Sequence, residues 1–210
     1  MDKYQETFNT WNKVAKLYEE KFMHLDLYND TYDIFCDAIS KKNAAVLEIG
    51  CGPGNITAYI LTQRPDLNIA AIDISPNMIA LAKDNCPAAT FTVMDSREIH
   101  TLESTYDAIL CGFCLPYLSA SDREKLIADC AQLLNANGIF YLSFVEGDEN
   151  TSGYQAGSSG NRTYFYYHDL NSLKSELVKN MFEITHLLHK RYAKSDGSEE
   201  VHTVLMGRKQ

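Results

Sequence analysis

Long apolar runs and clusters of basic residues are both missing from this 210-residue sequence. No stretch reaches the roughly 18 apolar residues that a membrane-spanning helix needs, and the first residues lack the apolar core of a signal peptide. The longest basic runs are the pairs Lys41-Lys42 and Arg208-Lys209, and 28 acidic against 19 basic residues give a net charge of −9. Because non-specific nucleic-acid binding depends on Lys and Arg neutralising phosphates, neither a membrane nor a nucleic acid is a predicted partner.

Cysteine, glycine and proline are also scarce. The chain has 6 Cys, 11 Gly and 5 Pro, so its composition fits neither a disulfide-stapled secreted domain nor a disordered or fibrous chain. Cys111 and Cys114 form a C-x-x-C motif, but no second Cys or His pair stands at zinc-site spacing, so no metal site is predicted. We expect one cytoplasmic domain with reduced thiols, because 210 residues bury one substantial core but not two enzyme domains.

The first 42 residues are predicted to be helical. Apolar and aromatic side chains recur at spacings of three and four in the first helix, at Phe8, Trp11, Ala15, Tyr18 and Phe22. This spacing is the pattern of one buried stripe. A second helix is predicted to begin at Asn29 or Asp30, because either residue is a favourable N-cap.

From residue 43 onward, short apolar runs alternate with helical stretches. Strands are predicted at 44–49, 68–72, 89–94, 106–111 and 139–145, and helices at 55–63, 76–84 and 122–135. Strands as uniformly apolar as these suit a parallel sheet covered by helices on both faces, so we predict an α/β domain with a doubly wound sheet. The end of the chain predicts two antiparallel strands, 182–192 and 201–206, around a turn at Ser195-Asp196-Gly197-Ser198.

Two helix starts carry capping signals. Ser75-Pro76 places a capping hydroxyl before a proline at the first helical position, where no amide hydrogen is needed. Ser121 with Glu124 three residues later forms a capping box, which predicts that the long helix begins at Asp122.

The most informative segment is Glu48-Ile49-Gly50-Cys51-Gly52-Pro53-Gly54, between the first predicted strand and the next helix. Glycine at three alternate positions permits sharp turns and close approach of a ligand, because any β-carbon would occupy that space. A dinucleotide fingerprint would need glycine at position 55, which is Asn, and a Walker loop would need a Gly-Lys pair, which is absent. The segment therefore predicts a ligand site of another kind at the carboxyl end of the first strand.

This glycine segment resembles motif I of the class I S-adenosylmethionine-dependent methyltransferases, and further segments resemble that family in the same order. Asp73 ends the second strand, where the family holds both ribose hydroxyls with an acidic residue, and a carboxylate can accept from two hydroxyls. Asp95 follows the third strand, where the family accepts a hydrogen bond from the adenine amino group. The resemblance implies cofactor contacts from Tyr18, Glu48, Gly50, Cys51, Gly52, Gly54, Asp73, Ile74, Met78, Asp95, Ser96 and Cys111.

The resemblance also implies the fold and the cofactor. The expected architecture is a Rossmann-like, seven-stranded, mostly parallel sheet in the order 3-2-1-4-5-7-6, with strand 7 antiparallel and two extra N-terminal helices. Within a single domain of residues 1–210, residues 1–42 form a helical cap and 43–146 the core that binds S-adenosyl-L-methionine. Residues 147–168 form a lid or acceptor loop, and 169–210 a C-terminal helix and hairpin. The Leu133 to Gly138 turn departs from the family's L-x-P-G-G, but this turn is remote from the cofactor.

Several of these residues also have a purely structural interpretation. Asp73 could cap the helix at Pro76, and Asp95 could be a turn residue. Glu48 could be an exposed strand residue rather than a brace under the glycine turn. Tyr18 lies on the apolar stripe, so a core role competes with the contact to the methionine part of the cofactor.

The acceptor site is expected around Phe113, Tyr117, the segment 147–161 and the aromatic run 164–167. That segment is predicted to be an irregular loop, either a lid or a plain surface loop. His168 and Tyr117 are the candidate catalytic residues, and His168 is equally compatible with capping the next helix. The predicted partner is a small-molecule methyl acceptor, and a homodimer is left open.

Two other functions remain open beside O- or N-methyl transfer to a small molecule. The first is a non-catalytic module of the same fold that binds the cofactor or serves as a scaffold, because fold does not fix function. The second is another Rossmann-type nucleotide-binding enzyme.

Overall fold

The computed structural model describes residues 2–157, 160–194 and 197–210. Its helices are α1 (Lys3–Phe22), α2 (Asn29–Ala38), α3 (Asn55–Gln63), α4 (Pro76–Asn85), α5 (Ala120–Leu133) and α6 (Leu170–Lys179). Its strands are β1 (Ala45–Ile49), β2 (Asn68–Asp73), β3 (Thr90–Val93), β4 (Tyr106–Cys111), β5 (Leu134–Val145), β6 (Gly153–Ala156), β7 (Arg162–Phe165), β8 (Phe182–Ala193) and β9 (Glu199–Lys209). Short 3-10 turns at Ser96–Thr101 and Leu115–Tyr117 follow β3 and β4.

Seven strands form one sheet in the order β3-β2-β1-β4-β5-β9-β8, and β6 and β7 pair separately. Strands β1 to β5 are parallel, whereas β9 runs antiparallel to both β5 and β8. Counted within the large sheet alone, this is the predicted order 3-2-1-4-5-7-6 with the seventh strand antiparallel. The predicted fold class is therefore confirmed.

The core consists of two apolar clusters, one on each face of the sheet. Strand β4 has five of its six residues buried, because α-helices cover both faces where it lies. This explains why the predicted strands are continuous apolar runs rather than alternating ones. None of the described helices combines the length and the apolarity that crossing a membrane requires.

Of the three predicted N-caps, one is confirmed and two are wrong. Helix α2 begins at Asn29, but its N-cap is Tyr28, whose side chain makes no capping hydrogen bond. The Ser75 hydroxyl accepts a hydrogen bond from the Met78 amide and caps α4 as expected. Helix α5 begins earlier than predicted, at Ala120, because Ser119 and not Ser121 is the N-cap that accepts from the Asp122 amide. Ser and Asp recur at 119, 121 and 122, and the side chain that faces the free amides is not fixed by their spacing.

The segment 147–161, predicted to be an irregular loop, contains β6 and leads into β7. The two strands form an antiparallel hairpin that lies on α1, where the Tyr164 amide donates to Thr7 Oγ1 over 3.0 Å and the Thr10 hydroxyl donates to the Arg162 carbonyl over 2.7 Å. Aromatic pairing across the hairpin supports a regular structure that the polar composition concealed, as in the edge contact of Tyr154 with Tyr164 at 5.1 Å. Residues 158–159 of this segment, and Ser195 and Asp196 of the predicted turn between β8 and β9, lie outside the described residues.

Candidate active site

A cavity lies at the carboxyl ends of the parallel strands, and α1 forms its outer wall. Its lining comes from α1 and from the segments that follow β1, β2, β3 and β4, namely Tyr4, Thr7, Phe8, Trp11, Tyr18, Gly50, Gly52, Ile72, Asp73, Ile74, Met78, Met94, Asp95, Ser96, Arg97, Gly112, Phe113, Cys114, Tyr117 and Leu118. Of the predicted helical stripe, only Ala15 is fully buried. The larger aromatic residues of the stripe are half-buried because they face this cavity rather than the sheet.

The glycine turn brings the backbone to the edge of the cavity. Gly50, Gly52 and Gly54 have backbone φ angles of +72°, +53° and +86°, which residues other than glycine rarely adopt. Gly50 and Gly52 line the cavity, and a β-carbon added at Gly52 would lie 3.6 Å from Cε1 of Tyr18. Gly54 does not line it; its missing β-carbon instead allows close packing against Ala82 of α4 and against Cys86, which follows that helix.

Asp73 joins the glycine turn to the start of α4. One carboxylate oxygen accepts from the Gly52 amide over 2.9 Å, and the other accepts from the Ser75 amide over 2.8 Å. Burial raises the pKa of Asp73, and these two hydrogen bonds act in the opposite direction. Each oxygen keeps a further lone pair, so the carboxylate can accept two more hydrogen bonds at the cavity wall.

Asp95 and Arg97 form the polar end of the cavity. The Arg97 guanidinium and its backbone amide donate to both oxygens of Asp95. Burial by itself raises the pKa of Asp95, but the hydrogen bonds and charge of Arg97 outweigh it and hold the pKa below its usual range. Ile74 and Met78 form an apolar wall of the same cavity, and Ser96 lies next to the pair.

Three of the predicted residues lie behind the cavity rather than in its wall. Cys51 and Cys111 are 2% and 0% exposed and pack into the two apolar clusters. Glu48 is also buried, and one of its oxygens accepts a hydrogen bond from the Thr57 hydroxyl on α3. Burial raises the pKa of Glu48 to about 8. Its contact therefore connects β1 to α3 on either side of the glycine turn, and none of the three residues lines the cavity.

Three aromatic residues in contact, Trp11, Tyr18 and Tyr117, form another part of the cavity wall. Trp11 makes edge contacts with Tyr18 and Tyr117, with ring centroids 5.5 and 5.4 Å apart. The indole N–H of Trp11 is buried and has no hydrogen-bond partner among the described residues. Neither hydroxyl of the two tyrosines forms a hydrogen bond within the described chain, and burial raises the pKa of Tyr18 to about 12. The Trp11 indole N–H and the Tyr18 and Tyr117 hydroxyls are therefore hydrogen-bond donors available to a ligand.

His168 does not line the cavity. It is 1% exposed, its Nε2 lies 2.7 Å from the Leu115 carbonyl oxygen, and its Nδ1 lies 2.8 Å from Nη1 of Arg123. Because a carbonyl only accepts and a guanidinium only donates, Nε2 carries the hydrogen and Nδ1 accepts. Burial lowers the pKa of His168 to about 4, so the ring is neutral and supports the Leu115–Tyr117 turn instead of meeting a substrate.

Comparisons with known proteins agree with this geometry. Residues 46–138, which include the glycine turn, Asp73 and Asp95, match the family described as "Methyltransferase domain". A methyltransferase of Alkaliphilus oremlandii is 24% identical over 181 residues, which cover 84% of this chain and 79% of the relative. Over residues 46–138 the chain is therefore similar to methyltransferases, and its fold is that of solved S-adenosylmethionine-dependent methyltransferases.

Other similar proteins match a smaller part of the chain or only its fold. A trans-aconitate 2-methyltransferase of Escherichia coli is 36% identical over 101 residues, which are 48% of this chain and only 39% of the relative. The fold is shared with a solved 1,6-didemethyltoxoflavin-N1-methyltransferase of Burkholderia thailandensis, at a TM-score of 0.73 and 20% identity over 98% of this chain and 88% of that one. The similarity to the enzymes with named substrates therefore establishes the core and the fold, not the acceptor.

The cavity brings together most of the predicted site residues, although they are up to 99 positions apart in the sequence. Nine of the fourteen line it, namely Tyr18, Gly50, Gly52, Asp73, Ile74, Met78, Asp95, Ser96 and Tyr117. Sequence reasoning missed Trp11 and Arg97 as lining residues. Trp11 was assigned to the core stripe, although an aromatic residue with a polar edge on a terminal helix was a usable signal. No sequence pattern indicated that Arg97 lines the cavity, because its pairing with Asp95 depends on the 3-10 turn at Ser96–Thr101.

Proposed function

We propose that this chain transfers a methyl group from S-adenosyl-L-methionine to an oxygen or nitrogen atom of a small-molecule acceptor and leaves S-adenosyl-L-homocysteine. The observation that carries the proposal is the hydrogen bond by which Asp73 is held against the glycine turn. Two backbone amides fix the carboxylate beside Gly52, and its remaining lone pairs suit two neighbouring hydroxyls of a ribose. A side chain at Gly52 would fill the space toward Tyr18, so the glycine keeps that cradle open.

The other lining residues fit the rest of the cofactor. Ile74 and Met78 offer apolar surface to an adenine, and Asp95 with Ser96 offers polar contacts at its edge. The Tyr18 ring lies next to Gly52, and its hydroxyl has no partner in the described chain, so it suits the carboxylate of the amino-acid part. Bound in this way, the cofactor supplies a methyl group already activated by positive sulfur.

The chain then has to exclude water and hold the acceptor in line with the methyl group. Helix α1 covers the cavity, and Asn12 fixes it to α4 by accepting from the Ser75 hydroxyl over 2.9 Å and the Asn77 amide over 3.1 Å. Alignment of two reactants in a dry cavity accounts for much of the rate of such displacements. His168 is not needed as a base in this mechanism, and its position supports the turn that carries Tyr117.

The acceptor atom is proposed as oxygen or nitrogen because both kinds of enzyme occur among the similar proteins. One relative is a malonyl-[acyl-carrier protein] O-methyltransferase of Acetivibrio thermocellus, and one structural neighbour is the 1,6-didemethyltoxoflavin-N1-methyltransferase. The apolar and aromatic end of the cavity, with Phe8, Trp11 and Phe113, suits a small organic molecule rather than a polymer. All six cysteines are free thiols, which supports a reducing location such as the cytoplasm.

Binding of S-adenosylhomocysteine tests the cofactor assignment. Trp11 is the single Trp of the chain and lines the cavity, so its fluorescence reports occupancy, and calorimetry gives the affinity. We expect Asp73→Ala to weaken binding by at least about tenfold, because two ligand hydroxyls lose a charged acceptor. Asp37→Ala is the matched control on the exposed face of α2 and should bind normally. Unchanged affinity of the Asp73 variant would refute the assignment.

Turnover separates an enzyme from a module that only binds the cofactor. The protein is incubated with methyl-labelled S-adenosylmethionine and a small-molecule cell extract, and labelled products are separated by chromatography. We expect a labelled product that is absent without protein. Tight binding of S-adenosylhomocysteine with no labelled product from any extract would favour the non-catalytic module.

A further inference from the structure

Part of the cavity wall is not used by the proposed cofactor contacts. It consists of Phe8 and Trp11 of α1 and of Phe113, Tyr117 and Leu118, which follow β4, and we call this part the acceptor end. Phe113 has a φ angle of +54°, which is uncommon for an aromatic residue, and its amide donates to Ser143 Oγ over 2.9 Å. The hydrogen bond fixes the unusual backbone, so this end of the cavity has a defined shape.

Two hydrogen-bond donors at this end lack partners within the described chain. They are the buried indole N–H of Trp11 and the hydroxyl of Tyr117, whose rings touch edge to face. Burial raises the pKa of Tyr117, so the phenol keeps its proton and remains a donor. Because a buried donor without an acceptor costs free energy, a ligand that brings lone pairs to this end is favoured.

The described lining offers no free base to such a ligand. The hydroxyl of Tyr4 bonds to Asp122, Asp95 is paired with Arg97, and the Cys114 thiol donates to Ser96 Oγ. Asp73 is committed to the glycine turn and, in the proposed function, to the sugar. An acceptor that must lose a proton before or during methyl transfer would therefore find no group in this wall to take it.

The charge balance of the transfer selects among acceptors. When an anionic oxygen attacks, its negative charge and the positive charge on sulfur are both neutralised, which a cavity of low polarity favours. A neutral amine or hydroxyl instead becomes positively charged and needs a base or a carboxylate nearby. Of the common oxygen nucleophiles, only the carboxylate is fully ionised at neutral pH without a base.

We infer that the acceptor is a carboxylate and the product a methyl ester, with Tyr117 and Trp11 donating hydrogen bonds to the acid group; this inference rests on the proposed function. One carboxylate oxygen forms the bond to the methyl carbon, and the electron pair of the breaking carbon–sulfur bond stays on sulfur. No proton is released. The lone pairs that do not attack accept from the indole and the phenol, which orient the attacking oxygen.

The stability of the label to alkali tests the inference. Labelled product from the extract assay is treated with mild alkali, and volatile radioactivity is collected. A methyl ester releases labelled methanol, so we expect most of the label to become volatile. Label that stays with the product identifies an ether or an N-methyl group and overturns the carboxylate inference while leaving methyl transfer intact. No labelled product at all defeats the proposed function itself.

Substitution of the donor provides a second test, which measures binding rather than turnover. The acid that alkali releases from the labelled ester is identified by mass spectrometry, and its binding to protein saturated with S-adenosylhomocysteine is measured by calorimetry. We expect Tyr117→Phe to weaken the acid about tenfold, the effect of one lost hydrogen bond to a charged group. Affinity for S-adenosylhomocysteine and the melting temperature should stay unchanged, because this hydroxyl has no partner in the described chain.

Tyr59→Phe is the matched control for this substitution. It removes a hydroxyl that bonds to Asp33 on the outside of the domain and does not line the cavity, so the acid should bind this variant normally. Equal binding of the acid to the wild-type protein and to the Tyr117 variant would overturn the role of Tyr117.

Discussion

At the scale of single residues, the site depends on carboxylates in three different environments. Asp73 is held by backbone amides, Asp95 is held by Arg97, and Glu48 is buried with one oxygen that has no partner in the described chain. Burial without a cation raises the pKa of Glu48 to about 8, whereas Arg97 lowers that of Asp95. Glu48 therefore carries a proton at neutral pH in the folded protein.

The buried proton of Glu48 makes stability depend on pH. The pKa rises from 4.5 to about 8 on folding, so the folded state binds the proton more tightly and stability falls as pH increases through this window. Glu48→Gln removes this pH-dependent loss of stability, because a glutamine side chain does not ionise. From pH 4.5 to 8 we expect the variant to gain stability relative to the wild-type protein, by at most about 5 kcal/mol.

Urea denaturation of both proteins across that pH window gives the comparison. The other titrating groups are common to the two proteins and cancel in the difference. A stability difference that does not change with pH would show that Glu48 is ionised in the folded state.

At the scale of elements, α1 is both a core helix and the cover of the cavity. It is held on one side by α4 through Asn12 and on the other by β7 through Thr7 and Thr10. Its aromatic stripe does not reach the sheet, so these polar contacts and the cavity walls keep it in place. A ligand has to pass α1 or loosen it to enter and leave.

Asn12→Ala should therefore accelerate ligand exchange without changing the cavity wall. The side chain accepts from the Ser75 hydroxyl and the Asn77 amide and does not line the cavity. Loss of these two hydrogen bonds should increase the dissociation rate of S-adenosylhomocysteine about fivefold or more. Stopped-flow Trp11 fluorescence measures the rate. Glu20→Ala, an exposed change on the same helix, should behave like the wild-type protein.

At the scale of the whole molecule, the C-terminal hairpin completes the sheet. Strand β9 pairs with β5, and its residues Val204, Leu205 and Met206 are fully buried. The last strands in the chain thus cover the edge of a strand in the middle of the sequence. The segment 46–138 that matches the methyltransferase family includes only the first part of β5 and does not include β9, the strand that pairs with it.

Leu205→Ala should destabilise the entire domain. Leu205 is 0% exposed, and a buried Leu truncated to Ala costs about 2–5 kcal/mol through lost burial and the cavity left behind. Val201→Ala on the same strand is the control, because this side chain is 44% exposed and should cost well under about 1 kcal/mol. Denaturation followed by circular dichroism gives both values, and equal losses would contradict a core role for β9.

The success of sequence reasoning differed between the fold and the site. The glycine turn and Asp73 are local signals, since each depends on a strand end and a few neighbours, and both line the cavity. His168 and Cys111 have side chains capable of chemistry, but neither reaches the cavity. His168 is held by Arg123, 45 positions away, and Cys111 is buried in the core. The chemical capability of a side chain can be predicted from the residue type, whereas the direction in which the side chain points depends on tertiary packing.

The sequence by itself determined the α/β class and the glycine turn, because these depend on hydrophobic periodicity and on glycine where a β-carbon cannot fit. The strand order was implied by the resemblance to a known family and not by the periodicity. Only the tertiary structure decided that α1 faces the cavity, that 147–168 contains a hairpin lying on it, and that Trp11 and Tyr117 meet. The packing of the hairpin on α1 and the contact of Trp11 with Tyr117 join residues more than a hundred positions apart, for which no local pattern exists. The acceptor end of the site is built from such contacts.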